Sequence, residues 1–275
     1  MKGCPLRCPW CSNPESQDFS PSLMVRDVLC HGCGACVEAC PEGAITITPE
    51  AGRRIDRDQC TECLLCAPAC SYHALQICGA SLGVGEVLEE VLPDRPFYAN
   101  SGGGVTVSGG EPLSQSGFVR NLLEQCKREG LHTALDTSGY GPGEDLEALL
   151  PFVDLLLFDI KHLDSGEHRR TAGVGNEEIL ANLERASKLA PVWLRIPLIA
   201  GFNDAPQHIK EIAMLGVKIG AQKISLLPYH EGGRSKNAQL GRPDQLAGVA
   251  APDEEHIHTL QAIIEGAGLK ATVDN

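Results

Sequence analysis

Aromatic residues are scarce: six Phe, four Tyr and two Trp in 275 residues. Basic residues are outnumbered too, with 23 Lys and Arg against 36 Asp and Glu and a formal net charge of −13. A chain this acidic, with no Lys/Arg cluster, is a poor tracker of phosphate backbones, so no nucleic-acid partner is expected. No apolar run approaches the roughly 18–20 residues a membrane span needs, so no membrane partner is expected either. The charged-then-apolar opening of a secretory leader is absent as well. What remains is 43% hydrophobic and 21% charged, an ordinary globular composition able to bury a core. The length fits one large domain or two smaller ones.

Cysteine is the abundant residue. Twelve of the 13 fall between Cys4 and Cys78, and the last is Cys126. A disulfide scaffold fits poorly with a long chain, no leader and thiols bunched at metal-ligand spacing. The expected compartment is therefore reducing, the cytoplasm.

Three stretches follow from the cysteines. Residues 1–25 hold CPLRCPWC and a polar segment, 26–79 form a Cys-dense block, and 80–275 alternate apolar runs with amphipathic stretches. Strand-like runs lie at Val105–Ser108, Thr133–Asp136, Leu155–Ile160, Val192–Leu198, Lys223–Leu227 and Leu269–Val273. Helical patterns lie at Phe118–Glu129, Asp145–Leu150, Ile179–Leu189, His208–Ile219 and Pro252–Ala267. Continuous apolar strands alternating with helices predict an α/β fold with a parallel sheet, wound open or as a barrel. SGGEP, DTSG, DIK, LRIP and LLPYH all end predicted strands, the rim that carries the site in barrel-like folds.

Cys4-x3-Cys8-x2-Cys11 supplies three thiolates with no evident fourth. An iron–sulfur cluster held this way keeps one iron open to an outside ligand; a zinc site completed from elsewhere is the plainer alternative. Cys30-x2-Cys33-x2-Cys36-x3-Cys40-Pro41 is the bacterial ferredoxin run, and Cys60-x2-Cys63-x2-Cys66-x3-Cys70 repeats it with Ser71 in place of Pro. The fourth Cys of each such run ligates the other cluster. That assigns Cys30, Cys33, Cys36 and Cys70 to one cluster and Cys60, Cys63, Cys66 and Cys40 to the other; paired zinc knuckles are the alternative. Gly32 and Gly34 suit a chain bending tightly round sulfide. Ala44–Ile47 and Ala74–Ile77 read as matching short strands, and Cys78 and Cys126 as small buried residues.

On the rim, Gly109 and Gly110 allow a close backbone approach and Glu111 can accept from an ammonium. Asp159 and Lys161 share one strand face, either to bind the polar ends of a ligand or to pair with each other. Arg195, charged within an apolar strand, needs a partner: a ligand carboxylate or an internal carboxylate. His230 is a ligand contact or a structural His.

The Cys-x3-Cys-x2-Cys run with Trp10 before its last Cys resembles the signature of the radical S-adenosylmethionine superfamily. KGCPLRCPWCSNPESQ, SGGGVTVSGGEPL, LDTSGY, DIKHLD and LLPYH, in order over essentially the whole chain, resemble the activating enzymes of glycyl-radical enzymes, the pyruvate formate-lyase-activating-enzyme type. The resemblance implies a (βα)6-type open partial barrel over 1–25 and 80–275, with a two-cluster ferredoxin-like insert over 26–79. It implies three [4Fe–4S] clusters, the first on Cys4, Cys8 and Cys11 with its open iron chelated by S-adenosylmethionine. It places Trp10, Gly109, Gly110, Glu111, the Asp159-Ile160-Lys161 segment, Arg195 and His230 at that cofactor, Lys161 among the catalytic groups. Asp136 and Thr137 are implied near the cofactor carboxylate, with a monovalent cation. The implied partner is a glycyl-radical enzyme, a protein substrate that loses a hydrogen atom from one glycine, with a flavodoxin or ferredoxin as electron donor. Activators of pyruvate formate-lyase and of anaerobic ribonucleotide reductase typically lack the insert. This implies partners of the glycerol-, choline-, hydroxyproline-, aryl-acetate- or toluene-acting kinds. In the family a strand precedes the first Cys run, whereas here three residues do, so a barrel short of its first strand is expected. The rival readings are a radical S-adenosylmethionine enzyme acting on a small molecule or peptide, and a non-catalytic electron carrier. The intact GGEP, Asp159, Lys161 and His230 speak against the carrier.

Overall fold

The structure, a computed structural model, describes residues 1–274. In chain order its elements are β1 (Ser22–Val25), α1 (Ala35–Glu38), β2 (Ile45–Thr48), β3 (Gly52–Ile55) and β4 (Leu75–Cys78); then α2 (Val84–Val91), α3 (Arg95–Ser101), β5 (Gly104–Val107), α4 (Ser116–Arg128), β6 (His132–Thr137), α5 (Gly143–Leu149) and β7 (Leu155–Asp159); then α6 (Ser165–Ala172), α7 (Glu177–Ala186), β8 (Val192–Leu198), α8 (Pro206–Ile219), β9 (Lys223–Pro228), α9 (Gly232–Gln239), α10 (Glu254–Gly266) and β10 (Lys270–Val273). No helix among them is long and apolar enough to cross a membrane.

β5 to β10 form one six-stranded sheet in chain order, every neighbouring pair parallel. Parallel neighbours require helical crossovers, and a strand order equal to chain order puts them all on one face, so the sheet curves as a partial barrel. The strands read as continuous apolar runs in fact alternate. In β8, Val192, Leu194, Ile196 and Leu198 are buried, while Trp193, Arg195 and Pro197 are half-buried between them. One face packs on the helices. The other lines a cavity that ligand and water can reach, which is why it tolerates charge.

The helical face holds the main core. Phe158, Leu135, Leu156 and Leu194 pack there with Leu123 and Cys126 of α4, Leu183 of α7, Ile212 of α8 and Leu260 of α10. α2, α3, α6 and α9 are additions to the pattern; α6 buries only His168 and Ala172, and α9 only Gly233, too little to mark a period. Gly102, at φ +67°, caps α3, and a Cβ on Gly104 would stand 2.0 Å from the His132 carbonyl oxygen, so these glycines end a helix and admit a neighbouring strand.

The Cys-dense block has its own small core around Leu23, Ile45 and Leu75. The segments after the two Cys runs are strands but do not pair with each other: β2 pairs antiparallel with β3, and β4 with β1. The β1 partner carries residues ahead of position 26 into this unit, which hydrogen-bonds from Ser22 to Cys78. Gly32 and Gly34 take φ of +68° and +85°, the left-handed bends that side chains resist.

Candidate active site

The C-terminal ends of β5 to β9 and the loop over residues 4–11 enclose a cavity of about 470 Å³. The loop is held from both sides. Arg7 N–H donates to Ala172 O at 2.8 Å, and Trp10 packs on Phe202 with ring centroids 5.0 Å apart, beside Leu6, Ile199 and Tyr229. Cys4, Cys8 and Cys11 all line the cavity. Burial pushes the Cys8 thiol up to about 12 and the Cys4 thiol up to about 11, and raises Cys11 as well. Thiols so desolvated ionise only if a cationic body takes the place of the proton. Among the described residues no three His, Cys, Asp or Glu side chains close on a point as one metal ion demands. An all-sulfur donor set on one short loop fits an iron–sulfur cluster instead.

Gly109 and Gly110 do allow close approach, but of the chain's own first residues. Gly109 sits at φ +118°, and a Cβ on Gly110 would lie 2.3 Å from the Gly3 carbonyl oxygen. Gly110 N–H donates to Met1 O at 2.8 Å and Glu111 N–H to Gly3 O at 2.7 Å, so this turn sets the height of the Cys loop. The Glu111 carboxylate is fully occupied by protein donors. Its Oε1 accepts from Leu113 N–H at 3.1 Å and the Thr137 hydroxyl at 2.5 Å, its Oε2 from Ser138 N–H at 2.8 Å and hydroxyl at 2.5 Å. Burial raises its pKa, and those four donors oppose the rise.

Asp136, Asp159, Lys161 and Arg195 form one chain of charge on the cavity side. Lys161 Nζ lies 3.0 Å from Asp159 Oδ2; Arg195 reaches Asp159 Oδ1 at 3.1 Å through Nε and Asp136 Oδ2 at 3.0 Å through Nη1. Arg195 thus has internal carboxylate partners, and Lys161 and Asp159 pair with each other while both face the cavity. Burial pushes Asp159 up, but Lys161 and Arg195 outweigh it and hold the carboxyl below its ordinary value. Asp136, buried and facing the Asp159 charge, is raised. Two cations and two anions leave this chain of charge close to neutral, with Lys161 kept charged by Asp159 against its burial.

Thr137 and His230 also line the cavity; His230 is exposed, and its Nδ1 accepts from Gly232 N–H at 3.1 Å. Ile160 does not line it: it is 1% exposed and packs into the main core. Several contributors went unread in the sequence. Ser108 donates to Asp136 at 2.7 Å, and Ser138 serves Glu111; both lie inside quoted motifs. Asn203, fully buried, donates to Lys161 O at 2.9 Å and Pro197 O at 2.7 Å and accepts from Ile199 N–H at 2.8 Å, tying two rim loops. Asn182 of α7 donates to Gly139 O and Gly141 O, both at 2.8 Å, to hold the DTSG loop. A polar residue on the apolar face of a helix was the available signal there.

Away from this cavity the other thiols fall into two sets. Cys30, Cys33, Cys36 and Cys70 line one small cavity, Cys40, Cys60, Cys63 and Cys66 another. The last Cys of each run therefore sits with the first three of the other. Cys126 is fully buried in the main core, whereas Cys78 is half-buried in β4.

Comparison with known proteins places the chain. Residues 68–214 match the Radical SAM superfamily and residues 29–74 a 4Fe-4S dicluster domain. The indoleacetate decarboxylase activating enzyme of Tractidigestivibacter scatoligenes is 38% identical over 285 aligned positions, covering 100% of this chain and 90% of that one. The isethionate sulfite-lyase activating enzyme of Nitratidesulfovibrio vulgaris is 43% identical over 272, covering 96% and 88%. A solved domain of a pyruvate-formate lyase-activating enzyme from Bacteroides vulgatus superposes with a TM-score of 0.54 at 34% identity, covering 63% of this chain and 99% of that one. The chain belongs to the radical SAM superfamily and, within it, to the activating enzymes of glycyl-radical enzymes.

Proposed function

We propose that the chain activates a glycyl-radical enzyme. Cys4, Cys8 and Cys11 hold a [4Fe–4S] cluster whose fourth iron binds S-adenosylmethionine. When bound and reduced, this pair supplies the 5′-deoxyadenosyl radical that takes a hydrogen atom from one glycine of the partner. The observation that carries the reading is the convergence of three thiols and the Asp136–Arg195–Asp159–Lys161 charge chain on one cavity at the strand ends.

The residues have separable roles. Glu111 clamps the loop after β5 to the loop after β6 and leaves backbone groups of Gly109 and Gly110 to face the ligand. Lys161 and Arg195 offer cationic hydrogen bonds to a carboxylate, and Asp136 and Asp159 offer anionic ones to an ammonium or a monovalent cation, with Thr137 beside them. Trp10 and Phe202 exclude water behind the Cys loop. His230, at the exposed rim of the cavity, would contact the adenosyl portion of the bound cofactor.

In the same reading residues 22–79 form a ferredoxin-like unit with two further clusters on the crossed Cys sets, three in all. The unit relays electrons from a flavodoxin or ferredoxin-type donor, and the rest of the chain is the partial barrel. Two cavities with four thiols each support it.

Anaerobic reconstitution tests this. Three clusters give about twelve irons per chain, and Cys4→Ala is expected to retain about eight and lose 5′-deoxyadenosine formation. A glycyl radical, seen by EPR, is expected on a cognate partner mixed with the wild type. Cleavage at the normal rate by Cys4→Ala would overturn the assignment.

A further inference from the structure

The two Cys cavities of the insert differ in charge. Arg53 of β3 stands opposite Ile47 of β2, and both line the cavity of Cys30, Cys33, Cys36 and Cys70. Its side chain is 1% exposed. One terminal nitrogen donates to Asp27 Oδ1 at 2.8 Å and to Ala74 O at 3.1 Å, while Nε is buried with no partner. The Asp27 carboxylate is 69% exposed, so water screens most of its charge, whereas the guanidinium lies inside, permanently charged. The cavity of Cys40, Cys60, Cys63 and Cys66 is lined by Glu42 and Glu62 and by no Lys, Arg or His among the described residues.

We infer that Arg53 separates the two insert clusters in reduction potential, making the one on Cys30, Cys33, Cys36 and Cys70 the first to be reduced. This rests on the insert holding two clusters. Reduction adds a negative charge to a cluster that its thiolates already make anionic. A buried cation stabilises that added charge, and an N–H aimed at thiolate or sulfide sulfur acts in the same direction. The unpartnered Nε is a donor of this kind: a buried donor without an acceptor is costly, and cluster sulfur is the acceptor this cavity offers. Glu42 and Glu62 beside the second cavity are exposed and largely screened, so the difference between the two rests on Arg53. Electrons entering the insert therefore settle first at the Arg53 side, and the second cluster is the stronger reductant of the pair.

The test is an EPR-monitored redox titration of the reconstituted full-length protein, with S-adenosylmethionine added to mark the first cluster's signal by its perturbation. In Arg53→Met, one of the two unperturbed signals is expected to need a lower potential for half-reduction. Its reduced-to-oxidised ratio at fixed potential should fall at least tenfold, about 59 mV for a one-electron couple. The other signal should stay in place, and Arg53→Lys should retain most of the wild-type value. If Arg53→Met does not fold, Arg53→Gln, which retains neutral donors for Asp27 and Ala74, carries the same expectation. Unmoved potentials, equal movement of both signals, or a shift in Arg53→Lys as large as in the neutral variant would overturn the inference. A wild type with about four irons instead of about twelve would overturn the two-cluster insert itself.

Discussion

Ser138 donates twice to one carboxylate oxygen of Glu111, from its backbone N–H at 2.8 Å and from its hydroxyl at 2.5 Å. With Thr137 and Leu113 on the other oxygen, the carboxylate faces donors only. Glu111→Gln places an amide N–H₂ against those donors. The cost of leaving buried groups unmatched is about 1–3 kcal/mol, read as a lower urea midpoint. 5′-Deoxyadenosine formation should fall with iron content unchanged, because the rim loop moves while the thiols stay.

Gly110→Ala acts on the cluster loop through the backbone. The added Cβ would stand 2.3 Å from the Gly3 carbonyl oxygen, where no side-chain rotation relieves it. The segment leading to Cys4 must shift. The expected result is loss of about four of about twelve irons, with the insert's EPR signals intact.

Arg195→Met leaves Asp136 and Asp159 facing each other without the cation between them. Because Arg195 is half-buried and water reaches the cavity, the cost falls below the roughly 3 kcal/mol of a fully buried pair. Arg195→Lys restores the charge without the fork that reaches both carboxylates, so it should recover only part of that loss in thermal unfolding.

His208 sets a pH dependence of stability. Burial, reinforced by the stacked His162 ring at 4.2 Å, pushes its imidazole down to about 4, against an ordinary 6.5. Between those values the unfolded chain binds a proton that the folded chain refuses. Stability contributed here is full above 6.5 and is lost as pH falls toward 4. His208→Phe should flatten the urea midpoint over that window by about one proton's worth of slope.

How far the sequence reached can be traced residue by residue. β8 begins and ends where its apolar run does, at Val192 and Leu198, because a strand buried on its helical side is marked at every second position. The thiol spacings announced clusters because ligand geometry is local. Longer-range partners were invisible. The Glu111–Ser138 clamp joins residues 27 apart, and Asn203 reaches Lys161 from 42 away, contacts no local pattern encodes. The strand pairing of Ser22 with Cys78 was missed for the same reason, since nothing in either tetrapeptide names its partner. A charged Arg195 within an apolar strand demands a counter-charge, but the choice between ligand and protein carboxylates is a matter of geometry. The interior side of the sheet looks apolar in the sequence because Leu157, Pro197 and Leu227 line the cavity alongside the charged groups.

The docking of Gly3 on Glu111 has a consequence for the order of assembly. The Cys loop is synthesised before its backbone anchors, which lie in a turn about a hundred residues later; Met1 and Ser108 alone are separated by 107 positions. Contacts of such sequence separation form late, after the local strand–helix units have closed. The two thiol sets of the Cys-dense block, by contrast, all lie within residues 30–70, so their contacts are short in sequence. The loop carrying Cys4, Cys8 and Cys11 therefore gains its backbone anchors only once the turn after β5, and later Ala172 and Phe202, have taken their places.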